Sequence, residues 1–117
     1  MLLSLETLNA AGFSPMNADE LPPFAAFLDG TTGVEQVHLA GPLGGAGQIS
    51  GLKFATGGFA YTDMPISESA FLLEGSVVVN DGTTSYSVSA GEGFIIPLGF
   101  TGTVTAVTPV TKIFHVL

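Results

Sequence analysis

The segment GEGFIIPLG, residues 91–99, decides the fold of this chain. Its apolar centre lies between glycines, which is typical of a short buried strand that begins and ends in tight turns. Pro97 has no N–H to donate to a sheet ladder, so it predicts an edge or a bulge at the end of that strand. Gly91 at the start of the segment and Gly75 upstream of it both stand where a predicted strand meets a turn, because a residue without Cβ relieves backbone strain there.

Strand signals continue on both sides of this segment. Asn80-Asp81-Gly82 predicts a hairpin, because all of these residue types tolerate the positive φ that a tight turn requires. The predicted strands are Val34–Ala40, Gln48–Thr56, Phe59–Met64, Ser69–Asn80, Thr84–Ala90, Glu92–Ile96, Gly102–Val107 and Thr111–Leu117. About eight strands predict an all-β double-sheet jelly roll. At 117 residues the chain predicts a single domain.

The first 33 residues differ from the rest. Cap-like residues precede helix formers at Ser4 and Asn17, but Pro15 and the Pro22-Pro23 pair interrupt both patterns. The sequence therefore predicts an irregular N-terminal arm over residues 1–33 with one or two helical turns. Residues 34–117 form the predicted barrel.

Two segments of this chain resemble the signature motifs of the cupin superfamily. They are Glu68–Gly75 and Gly91–Phe100, and Gly57–Phe59, Asn80–Gly82 and Lys112–Phe114 strengthen the resemblance. Over about residues 50–117 the chain is similar to the cupins related to ethanolamine-utilisation Q proteins and to ureidoglycine aminohydrolase-like domains. The resemblance implies a cupin-type double-stranded β-helix, a barrel that in most cupins holds a metal ion.

The same resemblance locates the positions of the usual metal ligands. The second-motif histidine falls on Gly102, and the first-motif histidine pair falls on Tyr61 and Asp63, or on Thr62 and Met64 in the alternative register. Of the usual set only Glu68 remains. A transition metal needs several converging imidazole or carboxylate donors, so we expect no bound metal and no cofactor.

Glu68 is the first candidate for chemistry. Strand alternation places Ala70 and Leu72 on its face, which predicts a carboxylate that points into an apolar barrel. A buried carboxyl without a partner has a raised pKa, as a general acid or base near neutral pH requires. The alternative is a structural glutamate that hydrogen-bonds backbone at the start of a strand.

A ligand-binding set follows from the predicted cavity around Glu68. Tyr61 and Asp63 alternate with Phe59 and offer a phenol and a carboxylate to a polar ligand. The predicted binding residues are Tyr61, Asp63, Glu68, Leu72 and Phe100. Glu74 lies too far along the strand, at about 20 Å, to pair with Glu68, and its position beside Gly75 predicts a solvated turn.

Three further polar residues and the apolar core complete the predictions. His38 and His115 fit neither ligand position, so we expect core or interface residues. Lys112, the one charged residue of its strand, could pair with a carboxylate such as Glu92. The predicted buried residues are Phe71, Leu73, Val77, Val79, Tyr86, Val88, Ile95 and Ile113.

Composition excludes several kinds of partner. The formal charge is −8, and Lys53 and Lys112 are the only cations besides histidine. Nucleic acids and anionic membranes require clustered lysine and arginine, so we expect neither as a partner. The N-terminal sequence does not resemble a signal peptide, and we expect a cytoplasmic protein. The mean hydropathy is +0.55 with 10% charged residues, which favours a homodimer that covers apolar surface.

Three functions remain open. The first is metal-independent binding of a small polar molecule in the barrel cavity. The second is a cofactor-free isomerase, lyase or hydrolase that uses Glu68 as acid or base. The third is a structural or dimerisation module without a ligand; a fold alone cannot choose among them.

Overall fold

The computed structural model describes residues 2–117, and it is built almost entirely of antiparallel strands. Met1, the first residue of the predicted arm, lies outside this range. The helical elements are α1 (Leu5–Ala11) and a 3₁₀ helix (Ala18–Glu20). The strands are β1 (Ser14–Pro15), β2 (Ala25–Phe27), β3 (Glu35–Ala40), β4 (Ile49–Phe54), β5 (Gly58–Tyr61), β6 (Glu68–Glu74), β7 (Ser76–Asn80), β8 (Ser85–Ser89), β9 (Gly93–Ile96), β10 (Gly102–Ala106) and β11 (Val110–Val116).

The strands form two sheets that face each other. The first sheet has the order β1-β3-β4-β11-β6-β9, and the second has the order β2-β5-β10-β7-β8. Except for β3 with β4 and β7 with β8, neighbouring strands are not consecutive in the chain, and this crossed-over arrangement of two antiparallel sheets is the predicted double-sheet jelly roll. None of the helices in residues 2–117 is long and apolar enough to cross a membrane.

Gly75 divides one predicted strand into two. The sequence predicted a continuous run over Ser69–Asn80, but β6 and β7 belong to different sheets. Gly75 has φ of 80° and lies so close to the carbonyl oxygen of Pro109 that a Cβ would collide with it. The chain therefore crosses from one sheet to the other at a position where only glycine fits.

Of the eight residues predicted to be buried, four are buried, one is half-buried and three are exposed. Val77, Val79, Val88 and Ile113 are buried, and Leu73 is half-buried. Phe71, Tyr86 and Ile95 are 44%, 53% and 57% exposed. Because Ala70 and Leu72 point inward, Phe71 belongs to the outer face of the first sheet. Ile95, opposite Ser69, shares that outer face, whereas Tyr86 lies on the outermost strand of the second sheet and has a neighbour on one side only.

The N-terminal arm is more regular than predicted. It contains the two expected short helical elements, but β1 also extends the first sheet and β2 extends the second. Leu8 of α1 is fully buried against Val37 and Ile113, on the outer face of the first sheet. The arm therefore covers part of that face and also reaches the inside of the barrel, where Phe24 and Leu21 pack against the main core.

Candidate functional site

A cavity of about 620 Å³ lies between the two sheets. Residues of the arm and of the loop around Leu43 and Gly44 line part of its wall. Most of its wall is apolar, and its larger polar side chains are Glu20, Gln36, Gln48, Tyr61, Glu68 and Lys112. A largely apolar pocket of this size with a few polar groups is typical of small-molecule sites.

Glu68 enters this cavity from the first residue of β6. It is paired with Val116 of β11 on one side and with Ile96 of β9 on the other, and only 7% of its surface is exposed. Burial raises the pKa of the Glu68 carboxyl, while the nearby Lys112 amine acts in the opposite direction. Desolvation has the larger effect, so the Glu68 carboxyl binds a proton more readily than an exposed glutamate does.

Lys112 lines the same cavity, and sequence reasoning missed it as a site residue. It lies on β11 between Leu72 of β6 and Leu52 of β4 and is fully buried. Its Nζ has no hydrogen-bond partner in the structure. Burial lowers the pKa of the Lys112 amine, and the Glu68 carboxyl only partly offsets this.

The expected pairing of Lys112 with Glu92 is therefore wrong. Glu92 uses Oε1 to accept a hydrogen bond from the backbone N–H of Ser89 at 2.9 Å, and it is exposed. Lys112 and Glu68 instead share an electrostatic interaction inside the barrel. The signal that could have shown this was the alternation of Lys112 with the apolar residues Phe114 and Val116 along β11.

Aromatic rings surround both Lys112 and Tyr61. The ring centroids of Phe59 and Phe94 lie 5.7 and 5.9 Å from Lys112 Nζ. Tyr61 stacks on Phe59 with centroids 6.3 Å apart and makes an edge contact with Phe100 at 6.3 Å. Burial, with a smaller contribution from Glu68, raises the pKa of the Tyr61 phenol. Tyr61 is therefore a neutral donor and acceptor at the cavity wall.

The structure brings some predicted binding residues together and separates others. Tyr61 and Glu68 line the cavity, and Leu72 and Phe100 are buried in the core around it without being part of its lining. Asp63 is exposed and lies outside the cavity. Its backbone N–H donates to Thr101 Oγ1 at 2.9 Å.

The structure follows neither of the two alternatives, Tyr61 with Asp63 or Thr62 with Met64, for the pair of residues that faces the cavity. Tyr61 and Met64 are buried, whereas Thr62 and Asp63 are exposed. Asp63 has φ of 44°, a left-handed turn conformation. Because β5 ends at Tyr61, strand alternation does not apply to the residues that follow it.

Glu74 and the two histidines lie away from the cavity lining. Glu74 is exposed, as predicted, and its Oε1 accepts a hydrogen bond from Thr111 Oγ1 at 2.8 Å. His38 is exposed, with Nδ1 3.4 Å from Ser50 Oγ. His115 lines a separate groove of about 440 Å³ on the outer face of the first sheet, together with Phe71 and Ile95.

The residues of this cavity do not fit a cupin metal centre. In residues 2–117 no three histidine, cysteine, aspartate or glutamate side chains lie close enough to hold a metal ion. At Gly102, the position of the usual second-motif histidine, a Cβ would collide with the carbonyl oxygen of Asn80 and would lie 2.7 Å from the Phe100 ring. Besides Glu68, the cavity presents the amine of Lys112 at a place where a cupin metal centre would need further imidazole or carboxylate donors.

Comparisons with known proteins agree with the architecture. A family model described as a EutQ-like cupin domain matches residues 44–114. A search of the curated proteins finds no significant match. Among solved structures, the ethanolamine utilisation protein Q of Salmonella typhimurium is similar, with 20% identity and a TM-score of 0.63 over 71% of this chain and 68% of that chain.

Two further solved structures show the same fold. The EutQ protein of Clostridium difficile has 15% identity and a TM-score of 0.59, covering 71% of this chain and 68% of that one. An RmlC-like cupin from Shewanella frigidimarina has 17% identity and a TM-score of 0.63, covering 89% of this chain and 91% of its own. At these identities the similarity concerns the fold, and the chemistry has to be argued from the cavity itself.

Proposed function

We propose that this chain, which belongs to the family of EutQ-like cupin domains, binds a small polar molecule in its barrel cavity without a metal ion. A second copy of the chain is the proposed partner, because the chain has a small fraction of charged residues and a high mean hydropathy. The binding proposal rests on the contents of the cavity and not on the activity of any protein of similar fold.

The observation that carries the proposal is the buried, unpartnered Nζ of Lys112. Buried polar atoms almost always have a hydrogen-bond partner, and leaving one without a partner costs free energy. An acceptor oxygen of a ligand in the cavity would supply that partner. Such an oxygen belongs to a carbonyl, a carboxylate or a hydroxyl group.

Glu68 and Tyr61 define the rest of the polar recognition. A carboxyl and a phenol on the wall of one cavity can each donate or accept a hydrogen bond, so they suit the hydroxyl or carbonyl groups of an uncharged polar molecule. The aromatic and aliphatic wall residues, among them Phe24, Phe59 and Phe114, suit the apolar framework of such a ligand. The cavity volume of about 620 Å³ accommodates a metabolite-sized molecule.

Catalysis is the second candidate, and the opposed pKa shifts of one residue pair favour it. The pKa of Glu68 is raised and that of Lys112 is lowered, which brings both groups towards the range in which an acid and a base act near neutral pH. A purely structural module is less well supported, because the side chains of the barrel leave a cavity in its interior.

A thermal-shift screen of polar metabolites tests the binding proposal. A ligand at 100 times its Kd stabilises the folded state by about 2.7 kcal/mol. For 117 residues, an unfolding entropy of about 0.25 kcal/mol/K converts this into a rise of about 11 °C in Tm. Lys112→Met and Glu68→Gln should lose most of this rise in Tm. Glu35→Gln should keep it, because Glu35 lies on β3 outside the cavity lining.

Two outcomes would contradict the binding proposal. One is a screen in which no compound raises the Tm of the wild-type protein, and the other is a shift of equal size in Lys112→Met. Mass spectrometry of the bound compound separates binding from catalysis. Recovery of the compound unchanged supports simple binding, whereas a product that Glu68→Gln no longer forms supports the enzyme.

A further inference from the structure

We propose that Lys112 forms a covalent imine with a ligand that carries an aldehyde or an unhindered ketone group. The inference deepens the proposed function and rests on it, since the ligand enters the same cavity. It assigns to Lys112 the role of a nucleophile, beyond that of a hydrogen-bond donor.

The surroundings of Lys112 are those of a nucleophilic amine. Its Nζ is buried, has no hydrogen-bond partner and lies beside aromatic rings of Phe59 and Phe94. Lysines that are desolvated in apolar pockets lose their proton readily and attack carbonyl carbons. Burial lowers the pKa of this amine, so a larger share carries the free lone pair at neutral pH than in an exposed lysine.

Glu68 supplies the proton transfers that imine formation requires. The Nζ lone pair forms a bond to the carbonyl carbon, the carbonyl π electrons move to oxygen, and that oxygen takes the carboxyl proton of Glu68. The Glu68 carboxylate then removes a proton from nitrogen and returns it to the hydroxyl group, which leaves as water when the C=N bond forms. The products are a protonated imine, one water molecule and the Glu68 carboxylate as counterion.

The aromatic rings restrict the class of carbonyl compound. Both ring centroids lie within 6 Å of Nζ, at 5.7 Å for Phe59 and 5.9 Å for Phe94. A flat, unbranched carbonyl group can approach an amine beside such rings, whereas a branched ketone would contact them. We therefore expect faster reaction with a linear aldehyde than with a ketone branched at both α carbons.

Reductive trapping with propanal and sodium cyanoborohydride at pH 7 tests the inference on the intact protein. The chain offers an internal control, because Lys53 is its only other lysine and lies on the side of the first sheet that carries Phe13, 4.4 Å from that ring. An ordinary lysine is only about 0.04% neutral at pH 7, so we expect at least about tenfold more adduct on Lys112 than on Lys53 at limited conversion. Peptide mapping separates the two lysines from the terminal amine.

Three controls show whether the cavity causes the selectivity. In urea-unfolded protein the two lysines should react equally. Glu68→Gln should slow trapping at Lys112 by at least about tenfold, as expected for loss of a general acid, and leave Lys53 unchanged. The ratio of Lys112 adduct to Lys53 adduct should be lower with the branched ketone 2,4-dimethyl-3-pentanone than with propanal, because the lower intrinsic reactivity of the ketone affects both lysines alike.

Adduct on Lys53 equal to or greater than that on Lys112 in the folded protein would overturn the imine inference. The proposed function has its own readout in the thermal-shift screen. If the screen finds a ligand whose effect depends on Lys112 but trapping at Lys112 fails, non-covalent binding stands and the imine does not. If both experiments fail, the cavity is not the functional site.

Discussion

Replacing the buried Glu68 and Lys112 of the cavity with uncharged residues should stabilise the protein. In the double variant Glu68→Gln/Lys112→Met, a neutral amide and an apolar chain of similar length replace two groups that burial forces away from their charged forms. Replacement of a buried ion pair by well-packed hydrophobic residues of similar volume is often either neutral or stabilising by about 1–4 kcal/mol. With an unfolding entropy of about 0.25 kcal/mol/K for a chain of this length, we expect a rise of about 4–16 °C in Tm.

The pH dependence of this gain follows from the two pKa shifts. Glu68 has a folded pKa raised above 4.5, so the folded state binds the proton more tightly and wild-type stability falls as pH rises from 4.5 through the folded pKa. Lys112 has a folded pKa lowered below 10.5, so wild-type stability falls as pH decreases from 10.5 through that folded pKa. The stability gain of the double variant over wild type should be greatest between pH 4.5 and pH 10.5 and smaller outside this range.

The assay is chemical denaturation of wild type and variants at several pH values. Glu35 and Lys53 are directly opposite on β3 and β4 and are only partly buried, so they form a matched control pair. Glu35→Gln/Lys53→Met should change stability by no more than about 1 kcal/mol. If the cavity double variant is less stable than wild type near pH 7, attraction between Glu68 and Lys112 outweighs their desolvation and our reasoning about this pair is wrong.

Three further predictions concern the scaffold, the metal and the assembly. Gly75→Ala should destabilise the protein by more than Gly91→Ala, because both glycines have positive φ but only at Gly75 would a Cβ collide with a carbonyl oxygen. Gly91→Ala should lower the free energy of unfolding by about 1–2 kcal/mol. Equal losses of stability in the two denaturation curves would refute the claim that only glycine fits where the chain crosses between sheets at Gly75. Elemental analysis of protein purified without chelators should show far less than stoichiometric transition metal, and stoichiometric metal that disappears in Glu68→Ala would contradict this. Light scattering at micromolar concentration should give twice the mass of the chain, whereas the mass of one chain would count against the proposed dimer.

The parts of the fold that sequence predicted are those that depend on local chemistry. The hairpin at Asn80–Gly82, the alternation that buries Ala70 and Leu72 with Glu68, and the strand content all follow from neighbouring residues. The solvent exposure of Tyr86 and Phe71 does not, because it depends on which strands lie at the edge of a sheet and which part of a sheet α1 covers. The corner at Gly75 also depends on a distant residue, Pro109.

Lys112 shows most clearly why the candidate site was only half predictable. Its inward orientation is compatible with its alternation with Phe114 and Val116, but its meeting with Glu68 depends on the pairing of β11 with β6, which are about 40 residues apart in sequence. That pairing shifts register between Thr111 and Lys112, and a one-residue slip in pairing would move a strand's side chains to the opposite face. Thr111, just before the shift, bonds Glu74, and Lys112, just after it, lines the cavity with Glu68. The register shift between β11 and β6 thus accompanies the placement of the buried Lys112 amine in the barrel. The residue pattern of β11 alone could not specify this placement, because it depends on the partner strand.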